Sequence, residues 1–170
     1  MNLLFDFTVD KATSTIHITR EFAADVDTVW DAFTKAEILD QWMGPKPFRA
    51  HTKRMDFREG GQWLWTMLTP ENVPTRWLLV EFIKINPKTS FTHKNSFSDE
   101  NGNHPDTGFT WSMNETHFEP GDGKTTVKLL KKMASMEELE KFVAMGYKAG
   151  MEVVLQNLDE YFGSLVSSKG

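Results

Sequence analysis

The feature that most narrows the choice of fold lies near the C-terminus, where residues 135–165 read as one long amphipathic helix following a run of strands. Leu139, Phe142, Val143, Tyr147, Met151, Val154, Leu155, Leu158, Phe162 and Leu165 recur at three- and four-residue steps, which gives one apolar and one wet face. Ser135-Met136-Glu137-Glu138 opens the stretch as a capping box, in which the serine hydroxyl and the Glu138 carboxylate each satisfy a backbone N–H. Within the buried face, Gly146, Ala149 and Gly150 form a notch of small residues. A glycine inside a helix costs roughly 1 kcal/mol relative to alanine, so the missing side chains have a use. Two uses are open: close packing of the helix on a sheet, or room for a cavity.

Upstream, residues 3–9 and 15–22 alternate in strand fashion around the polar turn 10–14, predicting a hairpin or one bent strand. Asp25 is a good N-cap for a helix carrying Val26, Val29, Trp30 and Phe33, and Ile38, Leu39 and Trp42 make a second short helix that Gly44-Pro45 ends. From 48 to 132 the pattern is strand after strand, read as five strands, with breaks at 59–61, 69–72, 86–88, 99–102 and 120–123. Alternation groups Trp63, Trp65 and Met67 on one face, as it does Phe91, His93, Asn95 and Phe97, and again Phe109, Trp111, Met113, Glu115 and His117. Residues 76–85 are apolar on both faces, so that strand carries a bulge or is covered on both sides. The order implies an α+β fold with the last helix laid across a curved antiparallel sheet. The 170 residues form one domain, with 1–13 as an N-terminal extension or extra strand and 164–170 as a frayed tail.

A chain of this length buries about 70% of the surface its unfolded form exposes. The net charge of −5 argues against nucleic acid and anionic membranes, which demand a clustered positive field. With no cysteine, disulfides, thiolate metal sites and cysteine nucleophiles are excluded, and a reducing cytoplasm is the expected location. The first ten residues lack the pattern of a signal peptide, and no apolar run approaches the roughly 20 residues of a membrane span. Six tryptophans, thirteen phenylalanines and nine methionines concentrate the apolar mass in large, flat or flexible side chains, which suit cores and ligand pockets alike.

Several local motifs follow one another along the chain: Ile18-Thr19-Arg20-Glu21-Phe22 with Val29-Trp30-Asp31-Ala32-Phe33, then Gln41-Trp42-Met43-Gly44-Pro45, then Met55-Asp56-Phe57-Arg58-Glu59-Gly60-Gly61. Thr125-Thr126-Val127, Met145-Gly146-Tyr147-Lys148-Ala149-Gly150 and Leu155-Gln156-Asn157-Leu158 complete the set. Together and in this order they resemble the Bet v 1-like or START-like (SRPBCC) helix-grip superfamily, and within it the domain family of the activator of the Hsp90 ATPase. The resemblance implies a helix-grip sheet of about seven strands around the C-terminal helix, enclosing a cavity open at one end. It implies little about chemistry, since that superfamily includes carriers, cyclases and a co-chaperone. Met43 stands where relatives often hold a second tryptophan, which softens the pocket rim.

No HExxH or four-residue histidine pair signals a metal, and neither a metal nor a cofactor is expected. No Gly-x-Ser-x-Gly elbow is present, which disfavours a covalent hydrolase. Glu59-Gly60-Gly61 lacks the lysine of a phosphate loop and reads as a hairpin turn, while Arg20 is expected to pair with a carboxylate. His93, Asn95, Glu115 and His117 can converge on the aromatic faces, where an imidazole beside a carboxylate serves as acid and base; a solvated cavity mouth is the simpler alternative. The first expectation is non-covalent binding of an apolar or aromatic small molecule. Its candidate contacts are Trp42, Trp63, Trp65, Met67, Trp77, His93, Phe97, Trp111, Met113, Glu115, His117, Phe142, Met145 and Gly146. A cyclase- or hydrolase-like activity on His93, Glu115 and His117 is the second, and a chaperone contact the third; a homodimer is left open.

Overall fold

The computed structural model describes residues 3–169, with side chains up to residue 166; Met1, Asn2 and Gly170 lie outside the described residues. Its strands are β1 (Phe5–Asp10), β2 (Thr15–Phe22), β3 (Arg49–Met55), β4 (Gln62–Leu68), β5 (Pro74–Asn86), β6 (Ser90–Ser98), β7 (Ser112–Pro120) and β8 (Thr125–Met133). The helices are α1 (Val26–Thr34), α2 (Ala36–Trp42), α3 (Met136–Ala144) and α4 (Tyr147–Lys169). All eight strands join one antiparallel sheet in the order β1-β2-β8-β7-β6-β5-β4-β3. The predicted α+β helix-grip architecture is present, with β1 as the extra strand and six strands, not five, between α2 and α3. Each of the five breaks read from the sequence separates two strands, so five turns make six.

Local chemistry fixes the two short helices. Asp25 accepts from the Thr28 N–H as the cap of α1, and α1 buries Val29, Trp30, Ala32 and Phe33. Lys35, in an extended conformation, ends α1 and starts α2. Trp42 Nε1 donates to the Ala32 carbonyl at 2.9 Å, which closes the V between them. Asn157 on α4 donates to the carbonyls of Trp42 and Gly44 at 3.3 and 3.0 Å, tying the last helix to the end of α2. A side chain at Gly44 would meet the Ala50 nitrogen at 2.5 Å, so only glycine allows β3 to approach.

Four sequence expectations are corrected or refined here. The single helix over 135–165 is two: Gly146 adopts φ +91° between α3 and α4, a left-handed conformation that ends the first helix. Apolar periodicity runs through the break because α3 and α4 both pack on the core. Ser135 accepts from the Glu138 N–H as predicted, but the Glu138 carboxylate turns to the N–H and hydroxyl of Thr110 instead of completing the box. The stretch 164–169, expected to fray, continues α4. On β5, the doubly apolar pattern is explained by both mechanisms offered: the register shifts between Phe82 and Lys84, and Leu79 is 2% exposed on the outer face.

Candidate ligand-binding cavity

Between the sheet and α2, α3 and α4 lies a cavity of about 470 Å³. Alternation supplies its walls strand by strand. Trp63, Trp65 and Met67 come from β4, Arg76, Leu78, Val80 and Phe82 from β5, and His93, Asn95 and Phe97 from β6. Helix residues Trp42, Phe142, Met145, Gly146, Tyr147, Gly150 and Met151 close the opposite side. Met145 is 51% exposed, so it marks where the wall meets solvent. An added Cβ at Gly146 or Gly150 would find no atom within 4 Å outside its own helix backbone. Neither glycine is packed on the sheet: Gly150 is half-buried in the cavity lining and Gly146 is exposed at its margin, whereas Ala149 is exposed and outside the lining.

The polar groups of the cavity stand in one band across the sheet. Cross-strand pairing aligns His93 with Asn114, Asn114 with Lys131 and Lys131 with Ile16, on β6, β7, β8 and β2 in turn. His93 Nδ1 lies 2.6 Å from Asn95 Oδ1, which accepts from it. Burial holds the His93 ring well below its ordinary range, at about 4, against the opposing effect of the Asn95 bond; the charge of Lys131 adds to the depression. Lys131 Nζ donates to Ser112 Oγ at 3.0 Å and Asn114 Oδ1 at 3.3 Å. It also sits 5.1 Å from the Phe142 ring and 6.0 Å from the Tyr147 ring. Among the described residues no carboxylate pairs with it, and burial lowers its pKa to about 8. The Tyr147 hydroxyl is pushed up by the same burial.

The family follows from a match over most of the chain: residues 23–163 fit the family described as activator of Hsp90 ATPase homolog 1-like protein. The chain belongs to that family. Its fold is shared with solved bacterial structures, among them protein Ms6760 of Mycobacterium smegmatis, 28% identical over 94% of this chain and 96% of that one, with a TM-score of 0.84. A solution structure from Arthrobacter aurescens is 24% identical, covering 91% and 88%, at a TM-score of 0.83. CalU16 of Micromonospora echinospora has the same fold at 15% identity and a TM-score of 0.60, covering 99% and 93%. No curated protein matches.

In this AHSA1-like chain the cavity brings together Trp42, Trp63, Trp65, Met67, His93, Phe97, Phe142, Met145 and Gly146 from the residues the sequence singled out. Four others lie elsewhere. Trp77 points to the outer face of β5 beneath Lys53, between the cavity-facing Arg76 and Leu78. Trp111 is 41% exposed and packs against Lys94, while Met113 and His117 lie on the outer face of β7. Glu115 contributes to the wall only through its place between inward-facing Asn114 and Thr116, because its carboxylate meets His117 Nε2 at 3.1 Å on the outer face.

The face assignment of β7 is thus reversed: Ser112, Asn114, Thr116 and Phe118 are buried. Consequently His93 and Asn95 lie inside while Glu115 and His117 lie outside, and the four do not form an acid–base group. Arg20 pairs with Asp159, as expected of a carboxylate partner. The turn at 59–61 is a hairpin, where Gly60 takes φ +85° and a Cβ at Gly61 would strike the Asp56 carbonyl oxygen at 2.1 Å. Among the described residues no three His, Cys, Asp or Glu side chains group as metal ligands, and no helix is long and apolar enough to cross a membrane. Sequence reasoning missed Lys131, Asn114 and Tyr147. The available signal was positional: Lys131 shares its alternation with Val127 and Leu129, two residues apart along an inward face.

Proposed function

We infer that this AHSA1-like protein binds an apolar or aromatic small molecule non-covalently in the cavity between its sheet and α3–α4. The observation that carries the reading is the hollow of about 470 Å³ beneath the glycine notch. That volume falls within the roughly 300–1,000 Å³ of small-molecule sites. A chain that used this surface for packing alone would gain from filling it, because empty apolar space forfeits dispersion contacts. A ligand burying about 200 Å² of apolar surface would gain on the order of 5 kcal/mol before the costs of association.

The test is a calorimetric and tryptophan-fluorescence titration with naphthalene derivatives, flavonoids and medium-chain lipids, since Trp42, Trp63 and Trp65 stand in the wall. Saturable quenching with micromolar affinity is expected. A Gly150→Phe variant, which projects a ring into the open space, should weaken binding at least tenfold while melting within a few degrees of the wild type. No heat and no quenching with any of these classes would overturn the reading. The protein-contact role named in the family description is the rival, and it predicts instead that a chaperone ATPase is recovered with the chain whether or not the cavity is filled by the Gly150→Phe ring.

A further inference from the structure

Resting on the cavity reading, the geometry points to a ligand class: an amphipathic acid, whose apolar body fills the hollow and whose carboxylate is held by the Lys131 ammonium. Three independent observations support it. Lys131 is enclosed among Phe142, Tyr147, Ser112 and Asn114, and its residual exposure is to the cavity. An ammonium carries three donors, and Ser112 and Asn114 take two of them, which leaves one for the space it lines.

The acids that could neutralise it are engaged elsewhere. Glu115 turns to His117 on the outer face, and Glu138 accepts from Thr110. The second observation is therefore a cavity whose lining holds two cations, the enclosed Lys131 and the exposed Arg76 over the Phe97 ring, and no inward-facing carboxylate. Burying an unpaired charge is costly, which the lowered pKa of Lys131 records. A methionine would fill the same place at less cost.

The third observation is the shortage of acceptors. Trp65 Nε1 is a buried donor with no acceptor among the described residues, and Trp65 lines the same cavity. The Asn95 oxygen is taken by His93, and the Asn114 oxygen by Lys131. Both lining amide oxygens are thus engaged by neighbouring donors while the Trp65 N–H is not, and a ligand oxygen would supply the acceptor that this indole lacks.

The experiment uses the full chain and a matched pair of probes, 2-naphthylacetate and its neutral amide, titrated calorimetrically at pH 7 and pH 9.5. The acid should bind at least tenfold tighter than the amide at pH 7. Its advantage should shrink severalfold at pH 9.5, because the free lysine has its pKa at about 8. Two neighbours of Lys131 stay silent in that window, since His93 protonates only near 4 and Tyr147 is raised; Arg76 lies farther along the wall over the Phe97 ring, and the Glu115 carboxylate is turned to His117 on the outer face. Acid binding at pH 8.5 should also take up a fraction of a proton, read from the dependence of the heat on buffer ionisation, whereas the amide takes up none. Lys131→Met should erase the preference for the acid and Lys131→Arg should keep part of it.

Equal binding of acid and amide by the wild type, with no proton uptake, overturns the acid proposal and leaves the cavity reading standing. Binding of neither probe overturns the acid proposal, and the cavity reading falls with it when the flavonoids and medium-chain lipids also give no heat and no quenching. The wild-type proton measurement decides the matter even if a Lys131 variant does not fold.

Discussion

The same sheet and the same helix build two ends of the interior that differ in one respect, the size of the side chains α4 sends inward. At one end Trp30 packs edge-on against Phe57, Phe91 and Phe118 at 5.8, 5.8 and 5.1 Å. There Phe22 meets Phe33 and Phe162, and Leu155, Leu158 and Phe162 of α4 are buried. At the other end the first turns of α4 present Gly150 and Met151, and beneath them lies the cavity. A single helix therefore anchors the fold with its later turns and roofs a hollow with its first. Along α4 stability and capacity fall to different residues, Leu155, Leu158 and Phe162 against Gly150 and Met151, while Phe33 of α1 and Phe91 of β6 belong to both ends.

The largest expected break in that division is at the packed end. Trp30→Ala should cost about 3–5 kcal/mol, since it deletes a ring at the centre of three edge-on contacts and leaves a cavity the aromatic neighbours cannot close. A urea denaturation curve measures it. Loss of less than 1 kcal/mol would show that the packed end is not the anchor.

Next comes a titration of the histidine enclosed in the hollow end. Unfolded His93 takes its proton at about 6.5 and the folded ring only near 4, so its protonation favours the unfolded chain. The stability it contributes is whole above pH 6.5 and is lost as pH falls from 6.5 towards 4, by about 2–3 kcal/mol. His93→Gln should flatten the decline in that interval, and melting temperatures of the variant and the wild type taken at half-unit pH steps measure the difference.

The smallest effects, and opposite ones, belong to the two glycines of the hollow end. Gly150→Ala should stabilise by up to about 1 kcal/mol, because the position is helical and nothing stands within 4 Å of the new methyl. Gly146→Ala should destabilise by about 1–2 kcal/mol, since its left-handed backbone at φ +91° disfavours any Cβ however much room there is. Thermal melts of the pair would separate space from backbone conformation as the reason each glycine is present.

Much of this division can be read along the chain. β4 and β6 were assigned to the correct face because their aromatics all fall on one side of the alternation. The N-terminal hairpin, the Asp25 cap and the hairpin at Gly60-Gly61 follow from residue chemistry within a few positions. β7 misleads for a physical reason. Its apolar Met113, like Trp111 just before the strand, lies outside while Asn114 and Thr116 point inwards, since this part of the interior is a polar band serving Lys131. Average hydrophobicity finds the face of a strand only where the core is uniformly apolar. The break at Gly146 is hidden because both helices bury residues at the same period, and a lysine on a strand is normally a surface residue. Those features depend on partners distant in sequence, and pairing across four strands is what brings them together.

Trp63 and Trp65, two residues apart on β4, lie stacked at 5.0 Å with their planes 11° apart. Indoles held this close and this parallel couple their electronic transitions. The wall of the cavity thus carries its own chromophore pair, whose ultraviolet signature depends on how the two rings are turned relative to each other. On the binding reading proposed above, a guest resting on that wall alters their angle or the polarity around them, and occupation of the interior becomes readable by light alone, without a label.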